Sequence, residues 1–394
     1  MLGARHGDLL SAIFTAQATL PLTSPAKFEI FLSATPGCEP ILCDEVIAAG
    51  FPVPKAVPGG VVFEGTWHDV WRANLALRCV NTVLSRVAQF HVAHLAQLDK
   101  LARQVPWVSL LPKDVPFAVD ATCRKSRIYH AGAAVERVAK AIAAATGGTL
   151  DDTSGLRVSV RIENNLCTLS IDTSGELLHK RGHKQAVGKA PLRETLAANL
   201  LRMAGYNGAE NVLDPMCGSG TFIIEAAEIA MGLAPGRERS FAFENLPSFN
   251  AASWQQMKAG IQKTEVTYRC FGFDRDKGAV DMAAANADRA GVAAMTAFAK
   301  QSVSELQRPD VSPGLVIVNP PYGARLGDKT KLGALHAALG QTLMQRFEGW
   351  RVALVTSERS LAYQTGLPFK QPGPPINHGG LRVKLYVTDV LKKR

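Results

Sequence analysis

The stretch V212-L-D-P-M-C-G-S-G-T-F-I-I-E-A-A227 decides the fold of the C-terminal half. It reads as a short buried strand, a glycine turn, and a helix opening at Thr221. Further along, apolar runs at 270–273, 315–318, 352–355 and 383–387 alternate with helical stretches at 221–231, 277–290 and 331–347. Buried strands separated by helices predict a doubly wound, mostly parallel sheet, whose ligands lie outside the carboxyl ends of the strands. The turn after the first strand is therefore where a small molecule is expected. Gly218 and Gly220 remove side chains where a ligand must approach the backbone, and Asp214 puts a carboxylate at the strand end. A carboxylate suits a cationic ligand group and repels a pyrophosphate, and the spacing is not the G-x-G-x-x-G of nicotinamide binders.

Two more strand ends carry chemistry. Gly272-Phe273-Asp274 closes the next strand, and an acid there can take both hydroxyls of a ribose. The bland alternative is that Asp274 only caps the helix opened by Arg275-Asp276. The gap between the glycines and Asp274 is longer than in a plain mononucleotide fold. Residues 235–263, which contain Trp254, are read as helices inserted between the two strands. Asn319-Pro320-Pro321-Tyr322 follows the apolar run 315–318. Its two prolines stiffen the backbone and remove two amide donors. The Asn319 side-chain oxygen and the Pro320 carbonyl can then each accept a hydrogen from one planar NH2 group. Tyr322 offers a flat face to the ring that carries it. Such a grip needs no strong base if the electrophile is the activated methyl of a sulfonium, because orientation supplies much of the rate. A proline-stiffened turn without a ligand is the competing reading.

The N-terminal half has a different texture. Residues 27–34 (KFEIFLSA) read as a strand, 38–50 as a helix ending on glycine, 61–63 as a strand and 66–75 as a helix, giving a small sheet covered by helices on one face. A strand at 117–121, a helix at 131–145 and a hairpin of 156–163 with 166–172 around Asn164-Asn165 follow. A linker and helix, 178–204, lead into the C-terminal half. Residues 1–24 show no clean apolar run ending in a cleavage site and are read as a poorly ordered extension.

The chain has 394 residues, enough for two or three domains, with 47% hydrophobic and 20% charged residues. No stretch approaches the roughly 20 apolar residues that cross a bilayer. Seven cysteines lie scattered, never in the close pairs of a zinc site, as expected of reduced thiols in a cytoplasmic protein. His91 and His94 are spaced to share a helix face, but no cysteine or carboxylate is near them in sequence, and no metal is expected. A formal net charge of +10 favours a polyanionic partner. Arg124, Lys125 and Arg127 beside Tyr129, and Lys180, Arg181 and Lys184 on the linker, are candidates for tracking a phosphate backbone. A solvated charged face is the alternative for either group.

At this point the sequence resembles a known family. The blocks at 177–197 (LLHKRGHKQAVGKAPLRETLA), 214–227 (DPMCGSGTFIIEAA), 235–237 (PGR), Trp254, 319–327 (NPPYGARLG) and 377–385 are similar to the bacterial 23S rRNA guanine-N2 methyltransferases of the RlmL type. More broadly they resemble methyltransferases that carry a THUMP domain. The resemblance runs from about residue 27 to 390. It implies an α/β chain with a ferredoxin-like domain at 26–75, a THUMP RNA-binding domain at 76–180 and a Rossmann-like class I methyltransferase domain at 181–394, its last strand antiparallel. S-adenosylmethionine is the implied cofactor, bound by Asp214, Met216, Gly218, Gly220, Thr221, Asp274 and Ser302, with Pro191 and Leu192 flanking it. Asn319, Pro320, Pro321 and Tyr322 are the implied catalytic residues, and structured RNA, 23S rRNA or a large-subunit assembly intermediate, is the implied partner. Family members usually place an acid after the third strand to bind the adenine amino group, whereas this sequence reads Lys300-Gln301-Ser302-Val303. Some members carry a further methyltransferase domain, and with the sequence running to Arg394 guanine-N2 activity alone is expected. The rivals are a tRNA guanine-N2 methyltransferase, a protein glutamine methyltransferase and a catalytically inactive RNA-binding assembly factor.

Overall fold

The computed structural model describes residues 27–184, 192–322 and 329–393. Pro191 and the N-terminal extension lie outside the described residues. The chain divides into two compact units. The first takes residues 42–178, the strand before residue 35 and the segment 239–261; the second takes 35–41, 179–238 and 262–394.

The first unit is built on one seven-stranded sheet. In chain order its elements are β1 (Phe28–Ser33), α1 (Glu39–Ala48), β2 (Lys55–Val57), β3 (Gly60–Gly65), α2 (Trp67–Ala76), β4 (Thr82–His91), α3 (Leu95–Ala102), α4 (Trp107–Leu110), β5 (Ala118–Arg124), α5 (Ala131–Thr146), β6 (Arg157–Glu163) and β7 (Leu166–Asp172). The strand order is β2-β3-β1-β4-β7-β6-β5. Local signals place several of these. Asp69 accepts the Thr66 backbone N–H at 2.9 Å and so closes the first turn of α2. Asn164 and Asn165, at φ +50° and +65°, make the left-handed turn that sets the β6–β7 register from Arg157↔Asp172 to Glu163↔Leu166.

The sequence reading missed β4, which is the centre of this sheet. It pairs with β1 on one side and β7 on the other, so the two small domains expected at 26–75 and 76–180 share a single sheet. A bulge between Arg86 and Ala88 breaks the alternation by which a strand is recognised. His91 ends β4 and His94 precedes α3, so the two histidines do not share a helix face.

The second unit is a doubly wound α/β sheet. Its elements are α6 (Glu194–Met203), β8 (Val212–Asp214), α7 (Thr221–Ala230), then α8 (Ala251–Ala259) in the inserted segment, β9 (Cys270–Asp274), α9 (Lys277–Arg289), β10 (Thr296–Lys300), β11 (Leu315–Val318), α10 (Lys329–Arg346), β12 (Arg351–Thr356), α11 (Arg359–Gln364), β13 (Ile376–His378) and β14 (Leu381–Val387). The strand order is β10-β9-β8-β11-β12-β14-β13. The first five run parallel, while β14 runs antiparallel to β12, and β13 to β14. Every residue of β8 and β11 is buried, which is why these strands read as unbroken apolar runs.

The insertion 239–261 leaves this sheet and belongs to the first unit. There Trp71 stacks on Phe243 at 6.0 Å, and Phe243 meets Trp254 edge-on at 5.1 Å. Aromatic pairs of this kind contribute about 1 kcal/mol each beyond the area they bury. The expected helices at 235–263 are thus one helix and a 3-10 turn, Ala242–Asn245, packed away from the strands that flank them in sequence.

Candidate active site

The carboxyl ends of β8, β9 and β11 meet at one pocket, because parallel neighbours in register end at the same edge. The pocket has a volume of about 190 Å3 and is lined by Met216, Asp274, Ser302, Val303 and Pro321, among others. Residues expected from three separate motifs therefore come together.

Asp214 is 3% exposed and its Oδ1 accepts the Met216 N–H at 2.9 Å. Burial pushes its carboxyl up to about 8; the Met216 hydrogen bond works against that rise, and the charge of Asp274 adds to it. A buried carboxyl of this kind becomes a receptor for a cation once it gives up its proton, and a nearby cation favours that ionised form. Gly218, at φ +53°, has nothing within 4 Å of where a Cβ would stand, so the backbone there is open to a ligand. Gly220 answers to a different demand. At φ +86° a Cβ would meet that of Ala283 at 3.0 Å, so this glycine lets α7 approach α9 rather than making room for a ligand.

Asp274 binds the loop across from it. Its Oδ2 accepts the Gly218 N–H at 3.0 Å and its Oδ1 accepts the Asp276 N–H at 3.0 Å. The cap of α9 is Asp276, which accepts from Gly278 N–H at 3.0 Å. Asp274 is thus free of capping duty and faces the pocket. After β10, the Ser302 hydroxyl donates to Glu305 Oε2 at 2.7 Å. With its proton committed, the Ser302 oxygen can only accept, which is what an amino group in the pocket requires. The acid missing after the third strand stands three residues on, one hydrogen bond behind Ser302.

Asn319 follows β11, and its buried Oδ1 has no hydrogen-bond partner among the described residues. A buried acceptor left without a donor costs about 1–3 kcal/mol, so a ligand that supplies one is favoured. Pro320 is buried beside it. Tyr322 is 7% exposed and belongs to the apolar cluster with Leu332, Ile376 and Val383; burial pushes its phenol up to about 12. The ring packs within that cluster.

The linker cations require a correction. Arg181 is 2% exposed and pairs with Glu225 at 3.4 Å, while Lys184 binds Glu194 at 3.2 Å, the Leu192 carbonyl at 2.8 Å and Thr221 Oγ1 at 2.9 Å. Both are spent on an internal network rather than on an RNA surface; Lys180 stays exposed. The network continues through Arg237 to the fully buried Glu228 at 2.6 Å, and through Arg289, which donates to the His183 carbonyl at 2.8 Å. Asn286 donates to the Ser219 carbonyl at 3.1 Å and so ties the glycine turn to α9. Sequence reading missed this network. Its one signal was the pair of acids in the apolar helix TFIIEAAEIA, since buried carboxylates need cations.

In the first unit, Arg124, Lys125 and Arg127 are exposed, as is Tyr129 at 83%. Their loop is held by Asn165, whose Oδ1 accepts the Arg127 N–H at 2.8 Å and whose N–H donates to Ser126 Oγ at 3.0 Å.

A parallel sheet with its last strands reversed, carrying acids at the ends of β8 and β9 and an Asn-Pro-Pro-Tyr turn beyond β11, defines the class: a class I methyltransferase fold. Residues 181–366 match the RMKL-like methyltransferase domain, 29–84 the RlmL ferredoxin-like domain and 92–172 the THUMP domain. The chain thus joins an RlmL-like ferredoxin-like domain, a THUMP domain and an RMKL-like methyltransferase domain. It is 34% identical over 95% of its length to the ribosomal RNA large subunit methyltransferase K/L of Syntrophotalea carbinolica. It spans about half the length of the curated relatives it matches, 55% and 52% of two of them. A predicted N6-adenine-specific DNA methylase from Listeria monocytogenes superposes with a TM-score of 0.83 at 30% identity, covering 93% of this chain and 97% of that one. SMU.472, solved as a complex with SAH, superposes at 0.82 with 26% identity, covering 94% and 100%. No helix among the described residues is long and apolar enough to cross a membrane.

Proposed function

We propose that the chain transfers a methyl group from S-adenosylmethionine to the exocyclic N2 of a guanine in 23S rRNA, in the cytoplasm, acting on naked RNA or on a large-subunit assembly intermediate. The observation that carries this reading is the buried Asn319 Oδ1 at the end of β11, without a partner among the described residues, on the edge where Asp274 and Ser302 line the pocket. The residues present fit the cofactor. Asp214 offers a buried carboxyl to a cationic group, open backbone at Gly218 leaves room beside it, Asp274 supplies acceptors for ribose hydroxyls, and Ser302 accepts from an amino group. When bound, the sulfonium supplies an already activated methyl group. Asn319 Oδ1 and the Pro320 carbonyl accept the two hydrogens of the target NH2. Guanine N2 shares its lone pair with the ring, and two acceptors favour its pyramidalisation, an interaction strongest in the transition state. The exposed cations of residues 124–127 would hold folded RNA by its phosphates while the target base is extruded.

The test is mass-spectrometric mapping of N2-methylguanosine in rRNA and tRNA from a deletion strain. The expected result is loss of one rRNA mark, restored by the wild-type gene. Loss of a tRNA mark or of a methyladenine instead would overturn the assignment.

A further inference from the structure

The hairpin of β13 and β14 projects from the edge of the sheet that carries the pocket. β14 pairs with β12 only as far as Thr356↔Lys384, so Leu381, Arg382 and Val383 run past the end of β12 and pair with β13 alone. Because β14 is antiparallel to β12, this overhang lies at the carboxyl edge of the parallel strands, the edge of Asp214, Asp274 and Asn319. Strand geometry puts the tip about 10 Å beyond the end of β12 and about 10 Å across the sheet from β11.

The tip is built to stand in solvent. Gly379 and Gly380 turn the chain at φ +56° and +82°, and nothing lies within 4 Å of a Cβ at either. Leu381 is 41% exposed, Arg382 is exposed, and Lys384 and His378 are half-buried. A fourth basic side chain joins them. Arg193, exposed at the start of α6, acts on both His378 and His179: burial is the main cause that holds these imidazoles below their ordinary range, and Arg193 adds to it. Among the described residues Arg193, Arg382 and Lys384 have no ion-pair partner. Cations that lack an ion-pair partner are relieved by a polyanion. Leu381 precedes Arg382 and, by the alternation of a strand, faces the other side of the hairpin from Arg382 and Lys384, where its exposed side chain can lie against an unstacked base.

We infer that the β13–β14 hairpin is an RNA-contacting arm of the catalytic unit, in which Arg193, Arg382 and Lys384 hold phosphates beside the target nucleotide and Leu381 lies against a base displaced from the stack. This rests on the reading that the substrate is RNA. The arm would give the pocket its own grip on the strand that enters it.

The test compares the full chain with Arg382→Ala/Lys384→Ala, with Leu381→Ala and with the charge-matched control Lys370→Ala/Lys392→Ala, whose Lys370 pairs with Asp389 and is joined through its backbone to Val387 at the far end of β14. The probe is protein-free 23S rRNA, bound across a salt series. Losing two phosphate contacts should lower the slope of log affinity against log salt by about 1.5. The control should match wild type, and S-adenosylhomocysteine binding by calorimetry should stay within about twofold in every variant. Leu381→Ala should keep RNA affinity within about threefold and lower kcat about tenfold. An unchanged salt slope in the double variant overturns the arm, and so does a loss of cofactor affinity, which would assign the patch to the cofactor carboxylate. An unchanged kcat in Leu381→Ala removes the leucine from it. A wild-type chain that neither binds nor methylates RNA fails before any variant is compared, and that failure belongs to the proposed substrate.

Discussion

Asp214→Asn should uncouple cofactor binding from protons. In the free protein the Asp214 carboxyl is raised to about 8, chiefly by burial. At pH 7 it is then mostly protonated, and a cationic ligand that needs the carboxylate must displace that proton, at a cost that grows as the pH falls further below 8. Wild-type affinity for S-adenosylmethionine should therefore climb about tenfold per pH unit from 6 to 8 and level off above that. The ligand's own amino group titrates in the same range, so the asparagine variant serves as the blank. The assay is calorimetry at pH 7 in two buffers of different ionisation enthalpy. Wild type should release close to one more proton on binding than the variant does, and the variant should bind more weakly with no rise between pH 6 and 8. Stability carries the opposite sign. A buried acid whose folded pKa lies above its unfolded value binds more protons when folded. Wild type without ligand should accordingly lose stability as pH rises from about 4 to about 8, and the variant should not. Equal proton release by the two proteins would refute the assignment of the cation site to Asp214.

Asn319→Ala should cut turnover about a hundredfold while leaving cofactor affinity within about twofold, because it removes an acceptor engaged only by the target amino group; calorimetry showing loss of the cofactor would disprove that role. Arg237→Ala leaves Glu228, 0% exposed, without its 2.6 Å partner and should cost about 3 kcal/mol in denaturant unfolding. An unchanged midpoint would mean that His183, at 3.9 Å from Glu228, takes over the charge.

The sequence determined the chemistry of the strand ends. Asp214, Asp274 and Asn319 could be read because each follows a buried strand whose apolar run marks where the chain reaches the carboxyl edge, and topology then brings those edges together. The β6–β7 hairpin was legible for the same kind of reason, since Asn164-Asn165 encodes its own turn. Tertiary structure decided which charges remain available. Nothing local distinguishes Arg181 from Arg124, yet one is sealed against Glu225 and the other stays exposed, because burial depends on a helix that begins forty residues further along the chain. It also decided where 239–261 belongs. Phe243 and Trp254 need an aromatic neighbour to bury against, and that neighbour is Trp71, which the local sequence around the insertion cannot specify. Gly218 and Gly220 make the same point at the scale of one turn: two residues apart and alike in sequence, one faces open space and the other packs against Ala283, a difference set only by what surrounds them.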